Sequence, residues 1–300
     1  MGFRELEYVR ALAEYRSITK AAKAVGLTQP AMSMFLRSLE GQLGAPLFER
    51  VGKGLILTYA GERYLHYANE ILLTEQEMRT ELSEFGSEGH GCLTLACMLP
   101  RSTYLVPMTI PAFKEYCPEV GIQLYEEIAY SDIEKDLLEG RAFLGIGNWQ
   151  SKDPRLSAEV LREEELLLAV DENHVVAKSL GVKPGDPPMA VDYQNFKDDP
   201  VIVPKGTTTA GLQQEFSRAY NPSQPIFLET RNIENALRLA AEGFGLTFLC
   251  DTHINFQYLP KNLVFFSVGI PKMTLYLLRR ANSYTPSYVH TYIEILRQYY

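Results

Sequence analysis

Gln29, Ser33 and Arg37 stand four residues apart, the spacing that lines side chains along one face of an α-helix. Glutamine can bond adenine through two atoms, arginine can bond guanine in the same way, and serine can meet a base edge or a phosphate. The trio therefore offers what a helix needs to read a major groove. Met34 adds an apolar surface suited to thymine methyls. Arg50 and Lys53, beside Gly52, are cations placed to meet phosphates or a minor groove. A polar stripe on one isolated helix is more often a solvated face, so the elements around it have to decide.

A second set of groups suits a small anion. Pro100-Arg101-Ser102-Thr103 follows the apolar run Leu93–Met98, and Lys205-Gly206-Thr207-Thr208 follows Val201–Val203. Each offers hydroxyls, a cation and the free N–H groups of a helix start. If they face each other across a cleft, Ser102, Thr103, Thr207 and Thr208 would hold a carboxylate; helix capping by Ser and Thr is the plainer alternative. Trp149, after Gly147, and Arg231, after Phe227–Glu229, are further candidates to line such a cleft.

The elements that must position the first set are legible in the opening residues. Leu6, Val9, Leu12 and Ala13 form the stripe of a helix that runs to Tyr15, and Ser17 caps a second helix over about Thr19–Val25 that closes at Gly26. Thr28 caps a third, Pro30 sits harmlessly in its first turn, and Gly44 stops it after Leu43. Met32, Leu36, Leu39 and Leu43 should form its packing face, opposite the reading face. Leu47–Arg50 and Leu55–Thr58 read as strands joined at Gly52-Lys53-Gly54, a hairpin wing. Residues 1–58 carry eight Lys/Arg against five Glu, a surplus of +3 on a chain of net charge -8. A basic module on an acidic body suits a protein that touches a phosphate backbone with one end only.

The residues that carry these features, Ser17-Ile18-Thr19-Lys20-Ala21-Ala22, Leu27-Thr28-Gln29-Pro30-Ala31-Met32-Ser33, Leu39-Glu40, Leu43-Gly44, Pro46-Leu47-Phe48-Glu49-Arg50 and Leu57-Thr58-Tyr59-Ala60-Gly61, resemble the LysR-type transcriptional regulators in register over about the first 61 positions. The resemblance implies DNA contacts by Gln29, Pro30, Ser33 and Arg37, with Arg50 and Lys53 serving the wing. Relatives commonly carry a polar pair after the serine, where this chain has Met34 and Phe35. It also implies the fold class: an N-terminal winged helix-turn-helix (mainly α), a long linker helix, and a C-terminal α/β two-lobed domain similar to periplasmic binding proteins. The bounds expected are 1–58 for DNA binding, 59–88 for the linker and hinge, and 89–300 for effector binding. Lobe I would take about 89–162 and 266–300, and lobe II about 163–265.

From Tyr59 to about Phe85 the chain lacks proline and is rich in helix formers. Tyr64, Ile71, Met78 and Phe85 recur every seven residues, flanked by Ala68 and Leu82, with Glu75 interrupting the second row. This stripe is a candidate homodimer or homotetramer seam that would set two modules on a near-palindromic operator; docking on its own domain is the alternative. Beyond it, strands expected at 93–98, 121–127, 142–147, 166–170, 201–203, 226–229 and 246–249 alternate with helices, an α/β pattern. In the family, a small molecule binds between the two lobes. Pro107 to Pro118, Gly145-Ile146-Gly147, Pro154-Arg155-Leu156 and Ala241-Glu242-Gly243-Phe244-Gly245-Leu246 fall where relatives have comparable residues, and Cys250 stands where they often have proline. Effector binding would then close the lobes and shift the population of DNA-bound states.

Other classes find little support. G-x-S-x-G, H-E-x-x-H, Walker and G-x-G-x-x-G patterns are missing, and the five histidines are scattered, so the chain reads as a regulator rather than an enzyme. Cys92, Cys97, Cys117 and Cys250 have no C-x-x-C spacing, and no metal or cofactor is expected. A thiol-based redox regulator is an alternative, although 163–249 contains no cysteine. The start lacks the pattern of a secretory signal and no apolar run reaches membrane-spanning length, which places the chain in the cytoplasm.

Overall fold

The structure, a computed structural model, describes residues 2–52, 54–84, 91–205, 208–254 and 259–300; at 83, 84, 208 and 209 only the backbone is described. The chain forms two compact units, Met1–Glu88 and Gly89–Tyr300.

The first unit opens with α1 (Phe3–Tyr15), α2 (Ile18–Ala24) and α3 (Gln29–Leu43). Ser17 Oγ accepts from the Lys20 amide, and Thr28 Oγ1 from the Ala31 amide, so each start is satisfied by the expected cap. Gly44 ends α3 at φ 68°, a left-handed turn that a Cβ would strain. A hairpin follows, β1 (Phe48–Val51) antiparallel to β2 (Gly54–Leu57), and then the long α4 (Tyr59–Glu84). Val9, Leu12, Met32, Leu36, Leu39, Leu47 and Leu55 close one core around the three helices and the hairpin. Leu43 departs from the expected packing face: the helix ends there, and its side chain is 45% exposed. Gly61 shows how tightly α4 meets the hairpin, since a Cβ there would fall 1.9 Å from the Leu47 carbonyl oxygen.

The second unit is built on two sheets. In chain order it runs β3 (Cys92–Met98), α5 (Leu99–Tyr116), β4 (Gly121–Glu127), α6 (Tyr130–Leu138), β5 (Leu144–Gly147) and β6 (Leu156–Glu164). It continues with β7 (Leu166–Asp171), α7 (Val175–Leu180), β8 (Met189–Ala190), β9 (Val201–Pro204), α8 (Thr208–Tyr220), β10 (Ile226–Thr230), α9 (Ile233–Ala241) and β11 (Thr247–Cys250). After a short 3-10 turn, Asp251–His253, come β12 (Leu263–Ser267), β13 (Met273–Arg280) and α10 (Ser287–Tyr299).

One sheet has the order β4-β3-β5-β13-β6 and the other β11-β7-β12-β8, with β10-β9 joined to it by a bridge between Val201 and Leu246. The chain crosses from the first sheet to the second between β6 and β7 and returns between β12 and β13, which makes a two-lobed body. The first lobe packs Leu93, Leu95, Phe113, Ile146 and Tyr292. The second packs Leu168, Val170, Tyr193, Phe196 and Phe266. α5 begins at Leu99, four residues before the start at Thr103 that the apolar pattern of 103–115 suggests, because Pro100 fits a first helical turn. β6, α7, β8, β12, β13 and α10 have no counterpart among the elements expected from the sequence.

Candidate functional site

On α3, the residues expected to read DNA are on the surface. Gln29, Pro30 and Arg37 are exposed, Ser33 is half-buried and Met34 is 67% exposed. Neither Gln29 nor Arg37 makes a side-chain hydrogen bond among the described residues, so their donors are free for a partner. Phe35 turns the other way and packs edge-on against Tyr8, ring centroids 5.2 Å apart, as a core residue. Glu40, on the same helix, accepts from the Leu47 and Phe48 amides at 2.8 and 3.2 Å and thereby fixes β1 relative to α3. The Arg16 carbonyl, at the α1–α2 turn, accepts from the Leu55 amide at 2.9 Å and ties the other hairpin strand. Arg50 lies exposed on β1; Lys53 lies outside the described residues.

The expected dimer stripe on α4 divides into two. Ala68 is buried with Leu6 and Leu72, and Tyr64 packs with the same cluster, so these two seal α4 onto α1 of their own unit and are corrected from seam to core. Ile71, Met78 and Leu82 are exposed. Phe85 lies outside the described residues.

Between the lobes of the second unit, a buried polar network replaces the open anion cradle expected from sequence. Arg101, on the first turn of α5, donates to both Glu164 oxygens at 3.1 and 2.7 Å and to Asn148 Oδ1 at 2.7 Å. Asn148 Nδ2 and Thr252 Oγ1 complete the shell of Glu164 at 2.7 and 2.6 Å. Burial alone would raise the Glu164 carboxyl, but the Arg101 charge and the hydrogen bonds from Arg101, Thr252 and Asn148 hold it at about 2. Arg101 is thus consumed by an internal ion pair and is not a free ligand cation, because a lone guanidinium could not be carried into so dry a site.

The other expected effector residues scatter. Ser102 is buried, donating to the Leu99 carbonyl at 2.8 Å and to Glu126; Thr103 points back to the same carbonyl at 3.4 Å. Both hydroxyls serve the helix, since α5 already begins at Leu99. Trp149 stacks on Tyr130 and donates to Glu134 at 3.0 Å, which makes it a packing residue of the first lobe. Lys205 pairs with Glu229 at 2.5 Å, and Arg231 is exposed. Thr207 lies outside the described residues, and Thr208 opens α8 with its side chain undescribed.

A small cavity of about 60 Å³ does lie between the lobes, and Pro100 and Arg101 are the expected residues that line it. Tyr104, Tyr130 and Asn148 face it from the first lobe, and Ile233, Cys250 and His253 from the second. Tyr104 is a peg between the two: it stacks on His253 at 4.3 Å, its hydroxyl donates to Glu234 at 2.6 Å, and its ring packs among second-lobe residues such as Ile202 and Leu237. Burial, with help from the Arg101 charge, pushes His253 down to about 3, so the imidazole is neutral at any physiological pH. Burial and the nearby Glu164 charge push the Cys250 thiol up to about 12. Sequence reasoning applied the rule that ligands gather at the carboxyl ends of strands to β3 and β9. The same rule applied to β5 and β11 would have found Asn148 and Cys250.

Comparison with known proteins decides the family. Residues 3–62 match the bacterial regulatory helix-turn-helix protein of the lysR family, and residues 86–300 match the LysR substrate binding domain. The chain belongs to the LysR family. A probable cat1 operon transcriptional activator of Acinetobacter lwoffii is 26% identical over 250 residues, 82% of this chain and 79% of its own. Among solved structures, full-length OxyR C199D from Pseudomonas aeruginosa superposes with a TM-score of 0.69 at 21% identity, covering 100% of this chain and 97% of its own. Full-length CbnR, solved in complex with its target DNA, gives 0.61 at 20% identity, covering 100% of both chains. These likenesses confirm the fold, a winged helix-turn-helix followed by a two-lobed substrate-binding domain, and a DNA-binding regulator modulated by a small-molecule effector.

Proposed function

We propose that this LysR-family regulator reads its operator with the outer face of α3, through Gln29, Pro30, Ser33, Met34 and Arg37, while Arg50 and Lys53 hold the phosphate backbone from the hairpin. The observation that carries the reading is the pairing of exposed, uncommitted Gln29 and Arg37, with half-buried Ser33 between them, with an opposite face locked by Met32, Leu36 and Leu39. Ile71, Met78 and Leu82 remain as the exposed part of a homodimer seam on α4. Two copies would then meet two half-sites of a near-palindromic operator.

The effector binds in the cavity between the lobes, residues 89–162 with 266–300 forming one and 163–265 the other, and its binding changes the balance of DNA-bound states. The protein acts in the cytoplasm and as a regulator without catalysis of its own; among the described residues no helix is long and apolar enough to cross a membrane. Thiol-based sensing is disfavoured at Cys97 and Cys250, where burial holds both thiols up at about 12 and starves them of thiolate.

The test is selection of a binding site by the full chain from randomised duplex DNA, followed by titration of that site with Arg37→Ala. A drop in the ratio of selected to random affinity of about tenfold or more is expected, in line with one lost bidentate base contact. An unchanged ratio would remove α3 Arg37 from the reading face.

A further inference from the structure

We infer that the cavity between the lobes takes a small uncharged molecule, one carrying a hydroxyl or carboxamide group on an apolar body, hydrogen-bonded to His253 Nε2. The inference rests on the proposal that this cavity is the effector site and goes beyond it by naming the chemistry of the ligand.

Three observations meet here. The first is an orphan: His253 is 4% exposed, lines the cavity, and its Nε2 has no hydrogen-bond partner among the described residues. A buried polar atom without a partner is uncommon, and a bound molecule or water is the usual reason for one. An alcohol or an amide carries both a donor and an acceptor, so it serves the imidazole in either tautomer.

The second is charge. Among the described residues that line the space Arg101 alone is charged, and it is already paired: its guanidinium grips both oxygens of Glu164, which stands outside the lining, and Asn148 and Thr252 fill the remaining positions on that carboxylate. An anion entering the cavity would meet a guanidinium whose charge Glu164 already balances, and a cation would sit beside Arg101. Either would bring an uncompensated charge against a mostly apolar wall. The imidazole offers no charge of its own, since burial keeps it neutral.

The third is shape. Met98, Pro100, Ile233 and Leu249 make most of the wall apolar, and Tyr104 covers one face of the His253 ring. A dry cavity of about 150 Å³ accepts benzene. At about 60 Å³ this one accepts only a body of a few non-hydrogen atoms before the lobes have to part.

Acetamide and acetate have the same number of non-hydrogen atoms and differ in charge, which makes them a clean pair of probes. The full chain, labelled with ¹⁵N at histidine, is titrated with each at pH 7 and constant ionic strength; loss of one signal in His253→Phe assigns His253 among the five histidines. The expected result is a saturable shift of the His253 Nε2 resonance with acetamide and binding of acetate weaker by about tenfold or more, the cost of placing an uncompensated charge against a mostly apolar wall. Because the shift is read on the wild-type chain, it does not depend on the variant being stable. Equal or tighter binding of acetate at His253 would overturn the uncharged class and leave the cavity as the effector site. No shift of His253 with either probe would overturn the inference. If, in that case, a carboxylate panel raised the melting temperature without moving His253, the effector would bind elsewhere and the cavity proposal itself would fall.

Discussion

The outer face of α3 and the centre of the second unit are both polar, yet they are organised in opposite ways. On α3, Gln29 and Arg37 are exposed and uncommitted, held in place by what lies behind them. Between the lobes, Arg101 and Glu164 are 7% and 0% exposed and hydrogen-bond each other, with Asn148 and Thr252 filling the rest of the Glu164 shell. A surface that must meet a charged polymer keeps its donors free, because every phosphate or base contact replaces water. A buried charge pair is different: its members stabilise the fold only as a set, and removing one strands the other.

The difference can be broken most severely at Glu164. Glu164→Leu leaves the Arg101 guanidinium buried without its partner, and a loss of about 3–5 kcal/mol in the second unit is expected. Amide hydrogen exchange of the full chain would show it as lost protection in residues 91–300, with residues 2–84 unchanged, since the two units are compact separately. Arg101→Met combined with Glu164→Leu should recover most of that loss, because no charge is then stranded. A single variant as stable as wild type would show that the pair carries no structural weight.

Acidity sharpens the comparison next, since His253 belongs to the same centre. Its folded value, about 3, lies below the ordinary 6.5, so between those limits the unfolded chain binds the proton and the folded one does not. Stability contributed by keeping this imidazole neutral is full above pH 6.5 and falls as the pH drops towards 3. Asp136, raised to about 6 by burial and by the neighbouring Glu127 and Glu139 against the pull of Arg141, works in the opposite direction between pH 6 and 3.8. The useful quantity is therefore a difference. Wild type should lose roughly 2 kcal/mol more than His253→Phe between pH 7 and pH 5 by denaturant unfolding. Parallel pH curves for the two chains would mean that the histidine is not held neutral.

These two regions also explain how much of the molecule was legible beforehand. The α3 motif is local: cap, proline, reading stripe and stop all fall within Thr28 to Gly44, and each acts on neighbours in the same helix or turn. The elements of the first unit followed from that pattern almost residue by residue. The inter-lobe centre is non-local, joining Arg101 to Glu164 and Glu164 to Thr252 across 63 and 88 positions, and nothing in the spacing of a single charge says which partner the fold will bring. Ser102 and Trp149 looked like ligand groups for the same reason. Their types were suitable, but a helix that starts at Leu99 and a stacked Tyr130 had already claimed them. Ala68 was misread on the seam because the heptad spacing is shared by a dimer face and by a helix docked on α1.

On the exposed side the expected losses are smaller and appear in binding, not in stability. Arg37→Ala should weaken binding to a selected site by about 1–3 kcal/mol while leaving exchange protection of α3 intact. Arg50→Ala should instead weaken selected and random DNA alike and reduce the salt slope by about one unit, which gel-shift titrations over a range of salt would show. If Arg37→Ala behaved like Arg50→Ala, the stripe would be a phosphate grip and base reading would have to come from elsewhere on α3.

The smallest effect tests what holds the reading face without touching DNA itself. Thr28 Oγ1 accepts from the Ala31 amide at 3.3 Å, and Gln29 and Pro30 stand in the turn that this bond closes. Thr28→Ala frees one amide at an exposed helix start, where water can partly replace the lost acceptor, so the cost is about 1 kcal/mol and is confined to the first unit. Thr28→Ser keeps the acceptor and should restore most of it. Operator affinity should fall by no more than the stability does, because the stripe from Ser33 to Arg37 is still held by Met32, Leu36 and Leu39 behind it. A fall in affinity much larger than the fall in exchange protection would mean that the first turn of α3 is ordered chiefly by its cap, and that Gln29 depends on that order to reach a base.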